Sequence, residues 1–154
     1  MNWLGLFVKI KFVKIKTVDL VGLALDWAVA KCEDKLWLAY ENALFNETVL
    51  PARPSEYLRD NFFGPEFSPS TNWAQGGPII EREITKLFKN VGGTHTAQIR
   101  HEETHSLISR NVLAGWTNAS GPTPLIAAMR CYVASKLGDA IDILDDLVKG
   151  PTCT

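Results

Sequence analysis

The chain has 154 residues, 46% hydrophobic and 21% charged, a composition that fits one folded domain and excludes a disordered chain. Its 16 basic and 17 acidic residues leave a net charge of −1, which excludes a surface built throughout for nucleic acid but allows a local basic patch. Cys32, Cys131 and Cys153 are too few and too far apart for a disulfide scaffold or a zinc knuckle, and they suit a reducing compartment.

The apolar start, from Trp3 to Val8, stops at Lys9. No base precedes it and no small-residue cleavage site follows, so it does not read as a signal peptide. It also falls short of the ~20 apolar residues of a membrane span. The chain then repeats itself as Phe7-Val8-Lys9-Ile10-Lys11 and Phe12-Val13-Lys14-Ile15-Lys16. Apolar and basic residues alternate in each copy, which predicts a strand with solvated lysines. The join of the copies shifts the inward face by one residue, so a bulge or a break is expected there. Thr17 is expected to cap a helix over residues 18–32, with Leu20, Leu23, Ala24, Trp27 and Ala28 facing inward. Short strands or a helical turn are expected over 36–50, a loop at Pro51 and Pro54, and a turn-rich loop over 64–70. Gly76-Gly77-Pro78 reads as a second break, with Pro78 starting a helix through Phe88. Gly92-Gly93 ends that unit. Residues 94–116 read as two or three strands. Thr123 and Pro124 open the clearest helix, which carries Leu125, Ala128, Met129, Tyr132, Val133 and Leu137 and ends at Gly138. A short helix over 139–148 follows. The expected class is α+β: a small, mainly antiparallel sheet covered by two main helices, plus a short C-terminal helix.

His101-Glu102-Glu103-Thr104-His105 fits H-E-x-x-H, in which two histidines on one helix face share a zinc ion. No glutamate follows Glu103 and no histidine follows His105, so the usual third ligand is missing. The flanking Thr and Ile residues favour strand, where positions four apart lie ~13 Å from each other, too far to share one ion. No metal site and no cofactor are expected. Nor does the chain hold a P-loop, a G-x-S-x-G elbow or a dinucleotide fingerprint, and it is not expected to be an enzyme. Glu81 and Glu83 lie two apart on a helix and so do not form a carboxylate pair.

Two strings stand out: Ser68-Pro69-Ser70-Thr71-Asn72-Trp73-Ala74-Gln75-Gly76-Gly77-Pro78-Ile79-Ile80-Glu81-Arg82-Glu83, and Gly121-Pro122-Thr123-Pro124-Leu125-Ile126-Ala127-Ala128-Met129-Arg130-Cys131-Tyr132-Val133. With Leu25-Asp26-Trp27-Ala28-Val29-Ala30-Lys31-Cys32 before them, they resemble the NinX-type family of small proteins of tailed phages and prophages. The resemblance runs from residue 13 to 148. Relatives usually begin near Lys14-Ile15-Lys16-Thr17, so residues 1–12 read as an N-terminal extension of one domain over 13–150. Many relatives carry an acid where this chain has Asn72. The resemblance implies a phage accessory protein in the host bacterial cytoplasm.

The residues themselves add a chemical reading. Ser68, Ser70, Asn72 and Gln75 surround Trp73, whose flat face suits a nucleobase. Arg82 and Arg130 offer planar cations for phosphate. Thr123 caps a helix whose free amides favour anions. Together they are expected to bind a small nucleotide-like ligand, and, by analogy with other small phage proteins, to sequester a host immune signal. The alternative is a protein–protein module that inhibits or redirects a host factor, such as a defence protein, through the aromatics between Trp37 and Phe67. A DNA-recombination role follows only from the family's usual genomic neighbourhood, and the near-zero charge weighs against nucleic acid. The apolar start favours a homo-oligomer, and no membrane contact is expected. The first 16 residues hold four lysines and no acid, while residues 139–146 hold four aspartates and no base.

Overall fold

A computed structural model describes residues 11–33, 67–101 and 115–149. Strand β1 (Phe12–Lys16) leads through a 3-10 turn (Thr17–Asp19) into helix α1 (Gly22–Cys32). Helix α2 (Trp73–Glu83), strands β2 (Lys86–Lys89), β3 (His95–His101) and β4 (Gly115–Gly121), helix α3 (Pro124–Leu137), strand β5 (Ala140–Leu144) and helix α4 (Asp145–Lys149) follow. The α+β expectation holds, with the strands divided between two antiparallel sheets rather than gathered in one: β1 with β5, and β2-β3-β4.

Helix α3 is the centre of the molecule. Thr123 Oγ1 accepts from the Ile126 amide at 3.2 Å, Pro124 stands at the helix start and Gly138 ends it, as expected. The helix is buried on several sides, through Leu125, Ala127, Ala128, Met129, Cys131, Tyr132 and Val133. It packs on the inner face of the three-stranded sheet and on α1 and α2. Alanines line these contacts, Ala28 and Ala30 from α1 and Ala97 and Ala119 from the sheet, so backbones approach closely. A Cβ on Gly121 would stand 2.7 Å from the Ala127 amide nitrogen, so only glycine lets β4 turn into α3 there.

Strands β1 and β5 pair in unbroken register from Phe12↔Leu144 to Lys16↔Ala140. Val13 and Ile15 turn inward and the lysines outward, and no bulge occurs over these five residues. Residues 1–10, which hold all of the preceding copy but Lys11, lie outside the described residues, as do the expectations for 36–54 and residues 102–114. Lys14 stands opposite Asp142, so the basic start and the acidic end meet within one chain.

Four local expectations are corrected. Thr17 does not cap α1. It is buried, its hydroxyl donates to the Gly138 carbonyl at 2.7 Å, and α1 starts at Gly22 without a side-chain cap. Gly76-Gly77-Pro78 is not a break but the middle of α2, which Asn72 caps by accepting from the Ala74 amide at 2.9 Å. Pro78 leaves the Ala74 carbonyl without a helical partner, but both residues are exposed, so water serves it. The helix does not reach Phe88: Ile84 is extended, and residues 86–89 pair with β3. Residues 140–144 are strand, because Ile141 and Ile143 alternate with Asp142 and pair with β1; only 145–149 are helical.

Candidate functional site

The segment before α2 is fixed at nearly every polar group. The Ser68 carbonyl accepts from the amides of Thr71 and Asn72, at 3.0 and 2.8 Å. Gln75 reaches back, and its Oε1 accepts from the Ser68 amide at 2.6 Å. Asp26 on α1 accepts from the Ser70 amide at 2.8 Å, with both residues buried. Burial pushes the Asp26 carboxyl above its ordinary range, while the Ser70 amide and hydroxyl pull it back. That hydroxyl lies near the carboxylate but makes no well-formed hydrogen bond. Gly76 closes the unit: a Cβ there would fall on the Pro69 carbonyl oxygen and stand 2.6 Å from Leu125 Cδ2. The first turns of α2 and α3 therefore lie side by side.

Trp73 emerges from this locked segment with 55% of its surface exposed. Thr71, Asn72 and Ala74 around it are exposed as well. Ser68, Ser70, Asn72 and Gln75 build the platform, and Trp73 is presented by it.

The arginines lie elsewhere and are engaged. Arg82, at the far end of α2, donates from Nε to Glu83 at 2.8 Å and from Nη2 to Glu33 at 2.5 Å. Tyr132 on α3 donates to the same Glu33 oxygen at 2.6 Å, and Lys136 stands 3.5 Å from Glu83. This network joins the C-terminal ends of α1 and α2 to α3. The Arg82 bond, above all, holds the Glu83 carboxyl below its usual range. Burial, then the Glu33 carboxylate, pushes the Tyr132 hydroxyl up. Arg130 donates from Nε to the Leu20 carbonyl at 2.8 Å and from Nη1 to the Ser120 carbonyl at 2.9 Å. It bridges two backbone turns, and burial lowers its pKa. Thr123 spends its hydroxyl oxygen on the α3 cap. The structure thus brings Ser68, Ser70, Asn72, Trp73 and Gln75 together, with the α3 start adjacent, and sets Arg82 and Arg130 apart as internal ties.

Sequence reasoning missed Asp26, Glu33 and Tyr132 as members of these networks. For Asp26 a signal was present: a carboxylate inside a run buried from Ala24 to Ala30 needs a donor. Of the H-E-x-x-H string only His101 is described; it ends β3, its Nε2 2.6 Å from Thr117 Oγ1. Among the described residues no group of three metal-ligating side chains occurs, and no helix is long and apolar enough to cross a membrane. Cys131 is buried and its thiol is pushed up to about 11, chiefly by burial, which suits packing rather than attack on a substrate. Of the aromatic stretch, only Phe67 is described, and it packs on the core.

The family model described as Bacteriophage P22, NinX matches residues 16–136. The chain belongs to this NinX family. The matched stretch holds α1, α2, the three-stranded sheet and nearly all of α3, and so both networks described above. It leaves out β5 and all but the last residue of β1. Comparison with curated proteins finds no match.

Proposed function

We propose that this NinX-family chain is a non-catalytic phage accessory protein that acts by binding in the host cytoplasm, with Trp73 as its anchor. The carrying observation is the exposure of Trp73 on a segment whose neighbours are hydrogen-bonded to one another. A large aromatic held rigidly in solvent loses little entropy on docking, which is what an interface anchor needs. Arg82 and Arg130 are already tied to partners, so a phosphate would have to compete with Glu33, Glu83 or backbone carbonyls. That weighs toward a neutral, aromatic contact, and supports a protein–protein module that inhibits or redirects a host factor. The second reading is a small nucleotide-like ligand stacked on the indole and sequestered as an immune signal. The flat face of Trp73 beside two adjoining helix starts supports it.

The test is affinity capture from host lysate with the wild-type chain and Trp73→Ala, beside calorimetric titration with cyclic nucleotides and ADP-ribose derivatives. One stoichiometric host protein, lost with Trp73→Ala, supports the protein module. Micromolar or tighter nucleotide binding lost in the same variant supports sequestration. Neither result leaves Trp73 without a ligand and refutes both. Self-association belongs to the same proposal: Val18, Val21 and Leu23 are exposed at the start of α1. Light scattering of the wild type and of a Val18→Ser, Val21→Ser double variant checks it, the variant being expected to run as a smaller species.

A further inference from the structure

The outer face of the three-stranded sheet carries a different chemistry from the Trp73 segment. In register, Phe88, Thr96 and Ser120 form one row, Lys86, Gln98 and Asn118 the next, and Arg100 and Trp116 the third. Phe88 and Trp116, at opposite corners, are 45% and 44% exposed. Successive rows lie ~7 Å apart along the strands, so the two aromatic rows are separated by ~13 Å. The Lys86 ammonium reaches across the sheet and lies 4.8 Å from the centre of the Trp116 ring. Among the described residues, neither Lys86 nor Arg100 pairs with a carboxylate, and no acidic residue lies on this face. The side-chain amides of Gln98 and Asn118, between the aromatic rows, make no hydrogen bond with any described residue. The inner face is fully used, with Leu87, Ala97, Ile99 and Ala119 set toward α3.

We infer that this face binds single-stranded nucleic acid. The parts are those that such binding needs: two separated aromatic surfaces for bases, two unpaired cations for the backbone between them, and free amides able to donate to and accept from base edges. The face of a three-stranded sheet is broader than the helix or two-stranded ribbon that the major groove admits, so an unpaired strand with bases splayed is the fitting occupant. A net charge of −1 does not conflict with this, because among the described residues the outer face of the sheet carries Lys86 and Arg100 and no carboxylate. A base that reaches Trp116 displaces Lys86 from the ring and leaves its ammonium beside the adjoining phosphate. The surface is separate from Trp73, and neither proposal depends on the other.

The test is fluorescence anisotropy of labelled single-stranded oligo-dT and oligo-U, with a duplex of equal length, titrated with the full chain over a range of salt. Both single strands or one of them is expected to bind, and the duplex to bind more weakly. Two cations predict a slope of log K against log salt of about −1.4, and Lys86→Gln or Arg100→Gln is expected to reduce it by about 0.7. Phe88→Ala and Trp116→Ala are each expected to weaken binding about tenfold or more, Trp116→Phe to retain most of it, and Trp73→Ala to change nothing. Circular dichroism confirms that each variant is folded. No binding at low salt overturns the inference. So does binding unchanged in a folded Phe88→Ala, Trp116→Ala double variant, or a host protein captured through this face in the absence of oligonucleotide binding.

Discussion

Gly76 and Gly77 are neighbours in α2, and alanine should cost far more stability at Gly76 than at Gly77. Intrinsic propensity favours alanine over glycine in a helix interior by about 1 kcal/mol at either site. At Gly77 nothing beyond the chain neighbours and the helix's own backbone lies within 4 Å of the added Cβ, so the propensity gain is opposed only by crowding of that Cβ against the ring of Pro78. Gly77→Ala should therefore change stability by no more than about 1 kcal/mol in either direction. At Gly76 the added Cβ meets the Pro69 carbonyl oxygen and Leu125 Cδ2 at 2.6 Å. The leucine can rotate, but the carbonyl belongs to the segment that Asp26 and Gln75 hold in place. The overpacking cost then sits near the top of its range, about 3 kcal/mol, and the net effect is a loss of about 2 kcal/mol. For a domain of this size that is a fall in Tm of about 4–8 °C. Urea unfolding followed by circular dichroism measures both variants, and an unchanged m-value confirms that the change lies in stability. If Gly76→Ala lowers the midpoint no more than Gly77→Ala does, the packing of Gly76 described above is wrong.

Other variants test the networks. Burial raises the Asp26 carboxyl above its ordinary range, so its contribution is fully present below that range and is lost as pH rises through the higher folded value. Asp26→Asn should remove this dependence, so its stability relative to wild type should improve from about pH 4 upward, measured by urea midpoints across pH. Arg130→Lys gives up the fork between the Leu20 and Ser120 carbonyls and should cost about 1–3 kcal/mol, while leaving Trp73-dependent capture unchanged. Tyr132→Phe removes the donor to Glu33 and should cost about 1–2 kcal/mol. A double-mutant cycle with Arg82→Ala should show coupling, because both side chains meet one carboxylate oxygen.

Helix α3 was legible because every local signal agreed: a threonine cap, a proline at the first position, apolar spacing of three and four, and a terminal glycine. Helix α2 was not, because its glycines and proline argue locally for a turn. What overrides them is tertiary: Gly76 admits Pro69 and Leu125, and Asn72 and Gln75 close the first turn. Residues 86–88 and 140–144 were misassigned for a related reason. Short segments fit both periods, and only pairing with β3 and β1 decides between them. In the candidate site, the sequence singled out the segment before α2 but not the division of labour within it. Which residues build and which are presented depends on contacts with α1 and α3, more than 40 positions away in the chain, as the separation of 44 between Asp26 and Ser70 illustrates. The outer sheet face stayed hidden because Lys86 and Phe88 had been assigned to a helix.

The pairing of β1 with β5 has a consequence for the order in which the protein is completed. Thr17 and Gly138, the hydrogen-bonded residues where that ribbon begins, are 121 positions apart. At ribosomal speeds of about 5–20 residues per second, roughly 6–24 s pass between the synthesis of one and the other. Throughout that interval the inward residues Val13 and Ile15 lack β5, the strand that pairs with them. The ribbon can close only after β5 has been made, later than the three-stranded sheet and helix α3 that precede it in the chain.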